Sequence, residues 1–469
     1  MSTFLVVMLG AAMLAWPAVL NGYPLVFIDS VSYLGQTLFP EWPWDKTPAY
    51  GAVLHLFHWG VSLWPALGAQ ALMVSHLLWM AQRGARGDAT PGMHLLVCAV
   101  LAAGTAAPWF ASTLMPDVMA GVAPLCLLLL AFARDRFSLA EVVWLTLLGA
   151  VAIASHLSHL PTALALVVFV ALATRRLLPI ARAALPVGLA VFGLLVANSW
   201  ATGRPALSPH GAVFLLARLQ ADGPAAATLR AHCPRAGWEL CAFARNLPMD
   251  SDAFLWDPRS PLNRTTDGRP LAMGGMRRSG EAAEIVARTL SERPAEVADA
   301  MARNALRQAL LFEVGDTLDN THLAASARRA IDRLPAGERA TFDAGMQMRG
   351  ELREAAAPFL QPHRMLVLAA LPLALFALAL SVWRRDWVRA GLIGGVLVAV
   401  AANAVATGAL SAPVDRYQAR IVWLLPLAAL LGLVPRFGAG LIDDARIRAR
   451  MSAWRTSSSS SRSSSLPAS

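Results

Sequence analysis

The chain is 469 residues long, 56% hydrophobic and only 15% charged, with 40 Lys and Arg against 30 Asp and Glu for a formal charge of +10. An ordinary soluble domain is roughly a quarter charged, so a water-soluble globular enzyme is excluded. Nucleic-acid binding is excluded too, because the basic residues form no stripe and fall in short segments between apolar blocks.

Apolar blocks approaching the roughly 20 residues that cross a bilayer are predicted at 4–20, 65–82, 92–108, 118–133, 141–156, 160–174, 184–200, 365–383, 390–408 and 421–435. The expected fold is an all-α polytopic integral membrane protein of about ten transmembrane helices with a mostly helical exported soluble insert. About seven helices lie in residues 1–200 and three in 365–435. The first block lacks a positive n-region and a small-residue cleavage site, so it reads as a retained helix. Arg83, Arg86, Arg134, Arg136, Arg175, Arg176, Arg384, Arg385, Arg389, Arg446, Arg448 and Arg450 then mark the cytoplasmic side. On that rule both termini are cytoplasmic, the membrane is expected to be a bacterial inner membrane, and 201–364 is a periplasmic domain. The Ser-rich tail, 436–469, reads as disordered.

Within the insert, helical patterns are predicted at 212–232, 280–311, 322–334 and 338–356. Cys233 and Cys241 are spaced to close a small disulfide loop in an oxidising compartment, the alternative being two buried thiols. Cys98 and Cys126 fall in membrane helices and read as small apolar residues.

Ionisable groups at a membrane boundary are costly to keep, which makes them the first candidates for chemistry. The first exported loop, 21–64, carries Asp29-Ser-Val-Ser-Tyr33 and Lys46-Thr-Pro-Ala-Tyr50, with Trp42 and Trp44 between them as expected interface anchors. Asp117 follows Pro116 at the start of the fourth block, where it reads either as a second site acid or as a helix N-cap. His156 and His159 are spaced to share a helix face. The last exported loop holds Asp415, Arg416, Tyr417 and Arg420, a local exception to the positive-inside bias.

The elements Asp29-Ser-Val-Ser-Tyr33 and Lys46-Thr-Pro-Ala-Tyr50, just after a first membrane helix, resemble the C-type membrane glycosyltransferases of GT-C fold. Those enzymes take a sugar from a polyprenyl-phosphate carrier and hold an essential acid in the first exported loop, followed by a basic-Pro-x-Tyr element. The chain departs from the common pattern in having Asp29 alone instead of two adjacent acids, and in placing its soluble domain before the last three helices.

The resemblance implies an inverting-type transfer of a sugar, hexosyl or pentosyl, to an exported glycan, lipid or protein acceptor. Asp29 is then the catalytic carboxylate, assisted by Asp117, the alternative being a loop acid or a helix cap. Lys46, Arg416 and Arg420 would hold the donor phosphate, although Lys46 also reads as a snorkelling interfacial lysine and Arg416 or Arg420 as loop-fixing partners of Asp415. Tyr33, Tyr50, His156, His159, Asp415 and Tyr417 are further cavity candidates. A divalent cation is left open, and the expected partners are the lipid-linked sugar, its acceptor and membrane lipids. Two other classes fit parts of the pattern: a transporter or flippase for a lipid-linked substrate, and a membrane acyltransferase with His156 or His159 as base.

Overall fold

The computed structural model describes residues 2–39, 42 and 44–434. Its regular structure is helical, with no strand among the described residues beyond two isolated bridges. Helices Leu177–Thr202, Leu352–Trp383 and Trp387–Leu410 are long and apolar enough to cross a membrane. The other apolar blocks form shorter or broken helices. The expected span 4–20 divides at Ala15 into Thr3–Leu14 and Trp16–Asn21, with Pro17 in the first turn of the second piece. Helices Leu139–Ala154 and His159–Thr174 have 16 residues each. At about 1.5 Å per residue they span roughly 24 Å, short of the roughly 30 Å hydrocarbon core. Helix Trp64–Arg86, with 23 residues, has the length but not the apolarity, so three helices among the described residues meet both conditions. The tail 436–469 and its arginines lie outside the described residues.

Close approach between helices depends on small residues. A Cβ on Gly408 would stand 2.6 Å from the Asn304 carbonyl oxygen, so helix Pro294–Leu310 of the insert packs directly on Trp387–Leu410. At the Arg-rich ends, Arg83 pairs with Glu141 and donates to the Arg136 carbonyl at 3.0 Å. Arg389 Nε donates to the Ala85 carbonyl at 3.0 Å. Three segments assigned by charge to one side of the membrane thus meet in space.

The insert differs from its expected outline. Val213, Leu219, Leu229, Phe254 and Ile285 form a core of their own. Phe312, Leu323, Ile331, Leu334 and Phe342 instead belong to the main core of the bundle. The boundary at 365 is also crossed without a break by helix Leu352–Trp383. Its polar first turns are rich in good helix formers, and Leu352 and Ala356 bury themselves with Leu25 and Trp109. The expected helices 212–232 and 280–311 each break once, where Pro224 and Pro294 open a second helix. Of 322–334 and 338–356 only shorter pieces are helical: Ala327–Ile331, Ala336–Ala344, Met346–Arg349 and the start of the long helix. Cys233 and Cys241 are disulfide-bonded with their Cα atoms 5.3 Å apart, and Cys98 and Cys126 are buried thiols.

Candidate active site

Backbone pairing brings two distant acids into one region. The Leu25 N–H donates to the Ser112 carbonyl at 3.0 Å, and the Leu114 N–H to the Leu25 carbonyl at 2.9 Å. The Ser30 hydroxyl accepts from the Phe27 N–H at 2.9 Å and donates to the Leu114 carbonyl at 3.0 Å. Residues 25–30 are thereby stitched along 112–114, with Asp29 and Asp117 just beyond the stitches. Gln70 secures the same segment from behind. It donates to the carbonyls of Ala111 and Thr113 at 2.9 Å and accepts from the Tyr50 hydroxyl at 2.6 Å.

Cations arrive from two other parts of the chain. Lys46 Nζ lies 3.1 Å from Asp29 and 3.2 Å from Asp45. Thr47 anchors this stretch by donating to the Ser155 carbonyl at 2.8 Å. From helix Asp415–Val422, Arg416 Nη1 comes within 3.6 Å of the second Asp29 oxygen. Its guanidinium stands 4.5 Å from the Phe27 ring centre, and its backbone N–H donates to Asp316 at 3.1 Å. One turn further, Arg420 Nη1 pairs with Asp117 at 3.1 Å while Nη2 donates to Ser158 Oγ at 2.8 Å. Tyr417 lies 5.1 Å from both guanidinium groups. The two arginines share a helix face, yet each meets its own carboxylate. Arg420 Nε is buried without a hydrogen-bond partner, whereas Arg416 Nη1 makes only its 3.6 Å ion pair with Asp29.

Electrostatics sort the groups by role. Burial works to raise the Asp29 carboxyl, but Lys46 and Arg416 outweigh it and hold it below the usual carboxylate range. Burial depresses His156 first, then the Arg420, His159, Lys46 and Arg416 charges push it well below the ordinary histidine range. It is therefore a neutral imidazole beside three cations. Burial likewise raises Tyr33, whose hydroxyl stays protonated near Lys46 and Asp29. Asp316 is raised by burial despite the Arg416 charge. Asp29 keeps 29% of its side chain accessible, against 4% for Asp117 and 1% for Arg420, so only the first carboxylate can meet an incoming group.

Several sequence readings need correction. Asp29 occupies the N-cap position of helix Ser30–Leu38 but makes no capping bond, and Asp117, in the turn Pro116–Val118, caps nothing either. Both side chains are turned to cations instead. His156 and His159 do not share a helix. His156 lies in a turn and accepts from the Ser158 N–H at 3.2 Å, whereas His159 opens a helix and donates to the Ala152 carbonyl at 2.7 Å. Their rings are still 5.4 Å apart. Asp415 leaves the cluster and accepts from the Glu313 N–H at 2.8 Å. Tyr50 meets Tyr33 edge-on at 5.3 Å and serves the packing through Gln70. Trp44 is no interface anchor, since its ring is held 5.5 Å from Phe214 and 5.8 Å from Trp256 in the insert.

Sequence reasoning missed Asp316, Ser158 and Gln347. Gln347 donates to the Val26 and Thr317 carbonyls at 2.7 and 3.0 Å and accepts from the Val26 N–H at 3.2 Å, fastening the loop that carries Asp29. Polar residues in polar stretches carry no signal of this kind; only the Ser158 position, between two histidines, stood in a marked motif. Among the described residues no three His, Cys, Asp or Glu side chains converge to hold a metal ion. The cations at the site are Lys46, Arg416 and Arg420.

Fold and site together define an all-helical, membrane-associated protein with a buried ion-pair cluster. No family model matches the chain, and no curated protein or solved structure compared with it matches either.

Proposed function

We propose that the chain is a polytopic membrane glycosyltransferase of the C type, moving a sugar from a polyprenyl-phosphate donor to an exported acceptor. In this reading the shorter apolar helices also lie in the membrane, giving about ten spans. Both termini face the cytoplasm of a bacterial inner membrane, and residues 201–364 are periplasmic. The meeting of the Arg83, Arg136 and Arg389 segments away from the Asp29 cluster supports that orientation.

The observation that carries the reading is one accessible carboxylate between two cations, with a third cation, Arg420, one helical turn from Arg416. Glycosyl transfer needs those parts. The acceptor hydroxyl oxygen attacks the anomeric carbon as the bond from that carbon to the phosphate oxygen breaks. Asp29, ionised and only weakly basic, orients the hydroxyl and takes its proton as positive charge develops on the oxygen. The phosphate departs with the bonding electron pair toward Lys46, Arg416 and Arg420, whose fixed charges match the growing negative charge. Asp117 holds Arg420 in place and is a positioning residue.

The charges lie at helix ends and in loops, not at mid-helix, which favours chemistry over transport. Purified protein supplied with a panel of polyprenyl-phosphate sugars should form glycosylated product. Asp29→Asn should lower turnover about 10²–10⁴-fold with the thermal midpoint retained. Unchanged turnover in that variant would remove Asp29 from the mechanism. Movement of labelled lipid across proteoliposomes with no covalent product would instead make the protein a flippase, and an acylated product would make it an acyltransferase.

A further inference from the structure

Beside the ion-pair cluster, a cavity of 170 Å³ opens between the first exported loop, the end of helix Leu177–Thr202 and the insert. That is space for on the order of ten water-sized groups, which is the size of one sugar ring with its hydroxyls. Lys46 and Leu157 form the wall it shares with the cluster. Behind that wall, Lys46 Nζ reaches Asp29 at 3.1 Å, and Ser158, next to Leu157, holds Arg420 at 2.8 Å.

Trp42 and Trp44 line other sides of the cavity. The Trp44 indole is immobilised by Phe214 and Trp256, and Gly275 lets it lie close, since a Cβ there would stand 2.6 Å from the ring. Asp45, Ser208 and His210 add polar groups. The His210 ring lines the cavity uncharged, its pKa lowered by burial first and by Arg204 after it. An alkyl chain would leave these polar groups unsatisfied, at a cost. Asp45 is paired with Lys46 at 3.2 Å, so the wall carries no net charge to hold an ion. A neutral ring with an apolar CH face and a hydroxyl edge satisfies both the indoles and the polar groups.

We propose that this cavity is the acceptor subsite and takes an uncharged glycosyl unit, stacked on the indole wall with hydroxyls bonded to Asp45 and His210. The inference rests on the glycosyltransferase reading and names the acceptor class for it. The acceptor would reach Asp29 past Lys46, so the first exported loop contributes to both sides of the reaction.

Saturation-transfer NMR on the full-length protein in detergent, with a panel of neutral hexose and pentose disaccharides as probes, tests the inference. The wild type should bind at least one of them. His210→Ala, which removes a polar partner, and Ser208→Phe, which fills the cavity, should each weaken that binding at least 10-fold. Thermal midpoints establish that the variants are folded; if Ser208→Phe fails to fold, His210→Ala decides alone. Binding of equal strength in the folded variants, or no binding by the wild type, overturns the subsite. If the wild type still transfers sugar from a polyprenyl-phosphate donor, the glycosyltransferase reading survives that loss. Binding that the variants abolish, in a protein that transfers from no donor, leaves a sugar site and removes the transferase.

Discussion

Asp117 and Arg420 lie 303 positions apart in the chain and 3.1 Å apart in the structure, each almost wholly enclosed. The pair ties the turn Pro116–Val118 to helix Asp415–Val422. A buried pair of this kind is not strongly stabilising against an apolar replacement, but losing one partner leaves an uncompensated charge. Arg420→Met or Asp117→Leu alone should cost about 3–5 kcal/mol, and the double variant combining them should recover much of it. Thermal unfolding of the four proteins in detergent measures the coupling. Additive losses would mean the two groups do not interact.

Gln347 acts at a distance from Asp29 by fastening Val26. Replacing it with Ala strands the Val26 N–H and two buried carbonyls, each worth about 1–3 kcal/mol when left unpaired. Because the loop carries the carboxylate, kcat should fall while the KM for donor changes little. Gln347→Glu, which replaces the donor by a buried carboxylate facing the Val26 and Thr317 carbonyls, should destabilise at least as much as the Ala variant. A variant that keeps full turnover would show that the clamp does not position Asp29.

The pH dependence of stability carries the signature of His156. Its folded-state pKa is depressed, by burial first and by Arg420 and the other cations after it. The unfolded chain therefore binds a proton more readily, and stability is lost as pH falls below the unfolded value near 6.5. The limiting slope for one proton is about 1.4 kcal/mol per pH unit. Denaturation profiles of wild type and His156→Asn should run parallel above pH 7 and diverge below it, with the variant less acid-sensitive. Parallel profiles down to pH 5 would place a charged imidazole in the folded state.

Gly408 marks where the insert touches the bundle. A Val at this position would drive its Cβ to within 2.6 Å of the Asn304 carbonyl, and backbone cannot swing aside as a side chain can. Overpacking of this kind costs typically about 1–3 kcal/mol. Gly408→Val should lower the thermal midpoint and increase proteolytic release of the insert. Gly188, with open space around it, supplies the control.

Composition and spacing alone determined that the chain is helical and apolar. They also marked a few charges as costly: Asp117, Arg416 and Arg420 stand out beside apolar blocks, where a charge is expensive to keep, and Asp29 and Lys46 in the short loop between two of them. Helix lengths were less legible. Apolar runs do not record where a helix begins, so Ala15 splits one block while Leu352–Trp383 runs on past its apolar part. Which charge meets which was decided by the tertiary structure. Arg416 and Arg420 look like one phosphate clamp in the sequence, yet each finds its own carboxylate because residues 25–30 are stitched to 112–114. Asp316 and Gln347 gave no sequence signal, being polar residues among polar neighbours. Only their long-range bonds, Gln347 to Val26 in the first loop and Asp316 to the Arg416 N–H, made them part of the site, and local pattern cannot encode those.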